Sequence, residues 1–160
     1  MSSLSQQLVS ILQGAPDRSA GLEKALHLVL AHFKSETGTI HVLDHKTQML
    51  HLAAQSGLPP ALIGTVRSIP VGKGIAGETA ARGGPVTMCN LQTDASGVAR
   101  PGARATGVGG ALCVPLRKGN EIVGTIGVGT IRPCEYTPQQ TAELESIGRL
   151  IGDQASIPRI

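Results

Sequence analysis

The side chains of this chain that could do chemistry are few: Cys89, Cys113 and Cys134, a histidine trio at His41, His45 and His51, and two arginines, Arg100 and Arg104, set among small residues. Three cysteines, an odd number without a C-x-x-C pair, do not read as a disulfide framework. Cys113 lies in the run Ala-Leu-Cys-Val-Pro-Leu, where cysteine serves as a small buried hydrophobe. Cys89 closes a short β-compatible run and borders a long stretch of low periodicity, so it is the better candidate for reactivity or metal contact. A reactive thiolate there needs a positive neighbour, which Arg100 or Arg104 could supply. Cys134 follows Pro133 and reads as a bystander near solvent. His41 and His51 could meet across a hairpin and hold a metal. No cysteine or carboxylate accompanies them at a fixed spacing, so surface or half-buried histidines are the simpler reading. Arg100 and Arg104 read either as part of a solvated loop or as a lid whose guanidinium groups clamp a carboxylate, phosphate or oxyanion.

The elements that must position these groups follow from apolar spacing and punctuation. Leu4, Leu8, Ile11 and Leu12 recur at helical spacing after Ser3 and Gln6, and Gly14-Ala15-Pro16 ends that helix. Asp17 can cap a second helix, with Leu22, Leu26, Val29, Leu30 and Phe33 on one face until Thr37-Gly38. Residues 39–43 and 49–53 form a hairpin. A helical turn is expected over 61–64, a strand over 66–71, a helix over 75–82 and a brief strand over 86–89. Residues 92–110 read as a long loop of the kind that is usually functional. Residues 111–116 and 121–130 flank the tight turn Lys118-Gly119-Asn120. Thr137-Pro138-Gln139-Gln140 opens a last helix with a capping threonine, a proline at the first helical position and a glutamine three residues past the cap. Leu144, Ile147 and Ile151 give that helix its apolar seam.

Composition removes several classes of function. Aromatic residues make up 1% of the 160, with one Phe, one Tyr and no Trp, so the chain cannot build the stacking platform that single-stranded nucleic acid needs. A formal charge of +3, scattered along the sequence, does not make a basic stripe. No apolar run reaches transmembrane length, and the N-terminus lacks the pattern of a secretory signal. No nucleic-acid or membrane partner is expected, and cytoplasmic residence is the simplest reading.

Gly72-Lys73-Gly74-Ile75-Ala76-Gly77 matches the dinucleotide fingerprint G-x-G-x-x-G, with Asp94 further on in the place of a ribose-binding acid. Too little chain remains after it for the further βαβ units that fold requires, and the remainder holds a β-hairpin. The motif therefore reads as a tight turn into a helix, whose N–H groups could greet an anion.

The order strand, Gly-rich turn, helix, strand, long loop and hairpin over residues 69–134 resembles the GAF family of small-ligand sensor domains. The resemblance covers roughly residues 22–151. It implies an α+β fold: a mostly antiparallel sheet of five or six strands, N- and C-terminal helices on one face, and a ligand pocket on the other closed by loops. Residues 1–16 are expected as an N-terminal helix and 17–156 as the GAF domain. In the family the G-x-G-x-x-G segment forms one pocket wall. A Cys in the slot of Cys113 occurs in phosphodiesterase GAF domains without catalytic duty.

One catalytic branch of this family reduces free methionine-R-sulfoxide. Its cysteines would fall at positions held here by Ala76 and, near the second, Arg104, and its glutamate at Ala111. A nucleophile is not replaced by Ala or Arg, so no catalytic residue and no enzymatic activity are expected. The cyclic-nucleotide signature retains only Tyr136 of its residues, with Thr130, Ile131, Gln140 and Thr141 elsewhere in it. The Cys-His pair of bilin-binding relatives is absent.

The expected function is that of a small-ligand sensor or regulatory domain. Its candidate binding residues are Ile75, Ala76, Thr79, Cys89, Asn90, Arg100, Arg104 and Cys113. They bound a pocket with residues 92–110 and the inner face of 111–114. The arginines favour a small anion; no cofactor is specified and no metal is assigned. A homodimer through the terminal helices is expected, because Leu4, Leu8 and Ile11 form a small apolar stripe. The output would lie on another chain or on a further part of the protein. The alternatives are a ligand-free dimerisation or interaction module and a thiol- or metal-based redox sensor at Cys89 and Cys113.

Overall fold

A computed structural model describes residues 3–88, 109–132 and 136–155. The helices are α1 (Ser3–Gly14), α2 (Arg18–Phe33), α3 (Ile63–Val66), α4 (Gly74–Arg82) and α5 (Pro138–Gln154), with a 3₁₀ turn at Pro60–Leu62. The strands are β1 (Thr37–Asp44), β2 (Met49–Ser56), β3 (Ser68–Pro70), β4 (Val86–Met88), β5 (Gly110–Lys118) and β6 (Glu121–Thr130). They form one six-stranded antiparallel sheet in the order β3-β2-β1-β6-β5-β4. The expected α+β fold, with its antiparallel sheet and helices at both ends of the chain, is the observed one.

Local chemistry sets the ends of the two long helices. The Asp17 side chain accepts from the Ala20 N–H at 2.8 Å, which satisfies one orphan donor of the first turn of α2. At α5 the capping box is complete: Gln140 N–H donates to Thr137 Oγ1 at 3.1 Å, and Thr137 N–H donates to Gln140 Oε1 at 2.8 Å. The apolar seams then meet the sheet. Leu22, Leu26, Val29, Leu144, Ile147 and Ile151 bury against Ile40, Leu112, Val114 and Ile126 in one core. Leu8 of α1 is fully buried in that same core, with Leu4 and Leu12 packed against it. Leu8, with Leu4 and Leu12 beside it, thus serves the chain's own interior.

With so few aromatics, close approach replaces bulk. Gly148 and Gly152 fall one turn apart on the sheet side of α5, where an added methyl would land on the carbonyl oxygens of Pro115 and Arg117. Gly38 of β1 is equally constrained: its added carbon would lie 2.8 Å from Leu30 and 2.9 Å from Leu26 of α2. The backbones of helix and sheet can touch only because these positions carry no side chain.

Some boundaries differ from the sequence reading. Thr37-Gly38 opens β1 instead of merely ending α2, since both pair with β6 through Gly129 and Val128. Val66 closes α3, and the following strand is confined to Ser68–Pro70. β4 is described over Val86–Met88, and Cys89, Asn90, Arg100, Arg104 and Cys134 lie outside the described residues.

Candidate functional site

The sheet face turned away from α2 and α5 carries a rung of small residues. Thr39 pairs with Gly127, Gly127 with Cys113 and Cys113 with Val86. The next rung runs Thr37, Gly129, Ala111 and Met88. Glycine on a central strand leaves space where any other residue would fill it. Over this floor lies a cavity of about 150 Å³, walled by Leu58, Thr65, Val66 and Ile69 on one side and by Gly74, Ile75 and Ala76 of α4 on another.

Three glycines build the α4 wall, each for its own reason. Gly72 and Gly74 hold φ of 91° and 66°, a backbone region that side chains disfavour. Gly77 packs so closely on Pro70 that a methyl would strike its carbonyl oxygen. The turn is pinned by Gly72 N–H donating to the Gly77 carbonyl at 2.8 Å and Lys73 N–H donating to that of Pro70 at 3.1 Å. The G-x-G-x-x-G spacing is thus explained by the turn itself. Lys73 at the cap position makes no side-chain capping hydrogen bond to the first turn of α4, which borders the cavity.

Of the sequence-predicted residues, Ile75, Ala76 and Cys113 line the cavity. Thr79 sits behind the wall. It is fully buried and its hydroxyl donates to the Ile75 carbonyl at 2.8 Å. Cys89, Asn90, Arg100 and Arg104 lie outside the described residues. Sequence reasoning missed the glycine floor and His41.

His41 is 1% exposed and borders the cavity, contrary to the expectation of a surface or half-buried histidine. Its Nε2 donates to the Val66 carbonyl at 2.8 Å, a partner brought over it by α3. Burial holds the imidazole below its ordinary 6.5, partly offset by the Val66 carbonyl, with His51 lowering it further. His51 is exposed, and its Nδ1 shares a hydrogen bond with Ser68 Oγ at 3.2 Å. Among the described residues no group of three His, Cys, Asp or Glu could hold a metal ion.

A neutral buried histidine makes stability depend on pH. The unfolded chain takes a proton below 6.5 and the folded chain resists it, so stability falls as pH drops through that value. The slope is at most about 1.4 kcal/mol per pH unit for one group. Denaturant midpoints measured from pH 7.5 down to 5 should show the loss, and His41→Gln should flatten it. A wild-type profile that stays flat contradicts a buried neutral imidazole.

Burial also pushes the Cys113 thiol up to about 11, tempered by the Thr79 and Thr125 hydroxyls beside it. At neutral pH only about one such thiol in ten thousand is ionised. In a Cys89→Ser, Cys134→Ser background, iodoacetamide alkylation should keep rising with pH beyond 9, where an ordinary thiol levels off. A plateau near 8.5 would show an accessible, unperturbed thiol.

Similarity to known proteins fits this architecture. The GAF domain family profile matches residues 17–153. The chain belongs to the GAF domain family. Its fold resembles the GAF domain of an Acinetobacter phosphoenolpyruvate-protein phosphotransferase, with a TM-score of 0.80 and 18% identity over 98% of this chain and 95% of that one. It also resembles the free methionine-R-sulfoxide reductase of Neisseria meningitidis in complex with its substrate, with a TM-score of 0.77 and 17% identity over 94% of this chain and 85% of that one. A type II free methionine-R-sulfoxide reductase from Thermoplasma acidophilum gives a TM-score of 0.67 and 18% identity over 96% and 95% of the two chains. No curated protein matches in sequence.

At such identities the likeness carries the fold alone. It nonetheless corrects one expectation. The chain was expected not to be an enzyme because Ala76 and Arg104 occupy reductase cysteine positions. GAF folds of this size include reductases in two of the structures above. Missing nucleophiles from one catalytic branch do not bound what other side chains do on the same scaffold. Enzymatic status therefore stands open for this chain.

Proposed function

We propose that this GAF domain is a regulatory module that binds a small, largely apolar molecule between the Thr39-Gly127-Cys113 rung and the first turn of α4. The supporting observation is the floor itself: Gly127 and Gly129 keep open a cavity of about 150 Å³ that any larger residue would fill. An engineered apolar cavity of about that volume in another protein takes up benzene, so an occupant of one small ring with short substituents is the right scale. A polar or anionic group on that occupant would face the first turn of α4, which the side chain of Lys73 at the N-cap does not cap. The preference for an anion rests further on Arg100 and Arg104.

Binding would be felt on the far side of the sheet. Cys113 and Gly127 lie on the strands whose opposite faces carry Leu112, Val114 and Ile126 into the core shared with α2 and α5. Occupancy that shifts β5 or β6 shifts the seat of those helices, and from there a second copy or an effector chain could read it.

A thermal-shift screen of small metabolites tests the proposal. A ligand at one hundred times its Kd should stabilise by about 2.7 kcal/mol, a rise of roughly 5–10 °C at this chain length. If the ligand is an anion held by Arg100 and Arg104, Arg100→Ala and Arg104→Ala each reduce the shift for that ligand. A screen in which no molecule of this size stabilises the protein sinks the proposal.

The reading as an interaction module has one observation in its favour. Leu4, Leu28, Ala31 and Ile147 line a groove between α1, α2 and α5, with the hydrogen-bonded His32 and Glu143 at its edge. A protein partner that shifts those residues in a spectrum, with the cavity silent to every small molecule, would favour that reading.

A further inference from the structure

His41 presents two ring nitrogens to different surroundings. Nε2 donates to the Val66 carbonyl, and because a carbonyl can only accept, this nitrogen carries the proton. Nδ1 of the neutral ring is then an acceptor. It is buried, and among the described residues it has no hydrogen-bond partner. His41 itself borders the cavity, on the β1 face shared with Thr37 and Thr39. A buried acceptor left unmatched is costly, whereas one matched by a ligand's N–H or O–H contributes both affinity and orientation. The remaining walls are mostly apolar, with Ile69, Ile75, Ala76, Leu58 and Cys113, and their other polar groups are the hydroxyl-bearing residues Thr37, Thr39 and Thr65.

We propose that the cavity selects molecules that carry an N–H or O–H donor on an apolar body, the donor engaging His41 Nδ1. This rests on the cavity being a ligand site. The occupant's chemical class is thereby narrowed to a small ring or short chain bearing a phenolic or alcoholic O–H, or an amide, pyrrole-type or similar N–H. A ligand offering only acceptors at that end would meet a lone pair with a lone pair. Fixing the imidazole through Val66 gives the selection its direction, since rotating the ring to offer a donor instead would break the Nε2 bond.

Phenol and toluene are near-isosteres that differ in this one donor. Their affinities for the full chain at pH 7.5 are measured by protein-observed NMR, for the wild type and for His41→Phe. The phenol-to-toluene affinity ratio should be about tenfold greater in the wild type than in the variant. Equal ratios in the two proteins overturn the inference, because the phenol hydroxyl then gains nothing from Nδ1. If neither probe binds the wild type, the cavity is not a ligand site and both this inference and the proposed function fall. Should His41→Phe not fold, the ¹⁵N resonance of His41 Nδ1 in the wild type decides. Phenol should move it and toluene should not; equal response to the two overturns the inference.

Discussion

Replacing Gly152 by alanine should destabilise the protein by about 3 kcal/mol or more, lowering Tm by roughly 10 °C. Helix propensity alone predicts the opposite sign, since alanine in a helix interior is favoured over glycine by about 1 kcal/mol. The structure decides between the two effects. A methyl at position 152 would fall on the Arg117 carbonyl oxygen, and its carbon and nitrogen lie close behind, 2.5 and 2.8 Å away. These are backbone atoms of β5, so no rotamer change relieves the clash, and α5 must lift from the sheet. That lifts Leu144, Ile147 and Ile151 out of the core they share with Val114 and Leu116. Gly148→Ala should behave similarly through the Pro115 carbonyl. Gly64→Ala is the control: nothing lies within 4 Å of its added carbon, so the change should be neutral or stabilising by up to about 1 kcal/mol. Urea denaturation of the three variants checks this. Equal midpoints for Gly152→Ala and Gly64→Ala would contradict the described seating of α5.

The second large effect is on binding. Gly127→Leu should abolish the response to any ligand of the cavity, more than tenfold in affinity, while leaving the fold intact. The atoms nearest the added carbon are Cys113 Sγ at 3.6 Å, Thr39 Oγ1 at 3.7 Å and Cys113 Cβ at 3.8 Å, ordinary contact distances. Beyond that carbon the side chain has only the cavity to enter. Filling it should hold stability constant or raise it by about 0.5–2 kcal/mol. Isothermal titration with a hit from the metabolite screen, beside a thermal melt, separates loss of the site from loss of the fold. Undiminished binding by a folded Gly127→Leu protein would place the ligand elsewhere.

The fold was legible where its determinants are local. The seam from Leu22 to Phe33, the Thr137-Pro138-Gln140 start and the Lys118-Gly119-Asn120 turn each announce an element within a few residues. The site was legible only in part, because its determinants are distant in sequence. The GAF resemblance places the G-x-G-x-x-G segment, and with it Ile75 and Ala76, on a pocket wall, and Cys113 lies in the 111–114 stretch whose inner face is expected to bound the pocket. His41 could not be seen as buried, since its cover comes from Val66 on another element. The alternation of Thr39 and His41 with Ile40 and Val42 is the one signal that would have put it on the cavity face. Gly38, Gly148 and Gly152 read locally as weak strand or helix residues; only the tertiary approach of another backbone or side chain explains them. The expectation that failed, that the chain is not an enzyme, was an inference from one branch's cysteines rather than from any property of the fold.

The ligand site on the sheet face opposite α2 and α5 is tested most directly by the amide shifts that benzene induces in a ¹H–¹⁵N spectrum of the full chain. The prediction is saturable shifts centred on the amides of Ile75, Ala76, Cys113 and Gly127, absent from the Gly127→Leu protein. Shifts confined to Leu4, Leu28 and Ile147 in the helical groove, or none at all up to saturating benzene, would contradict it.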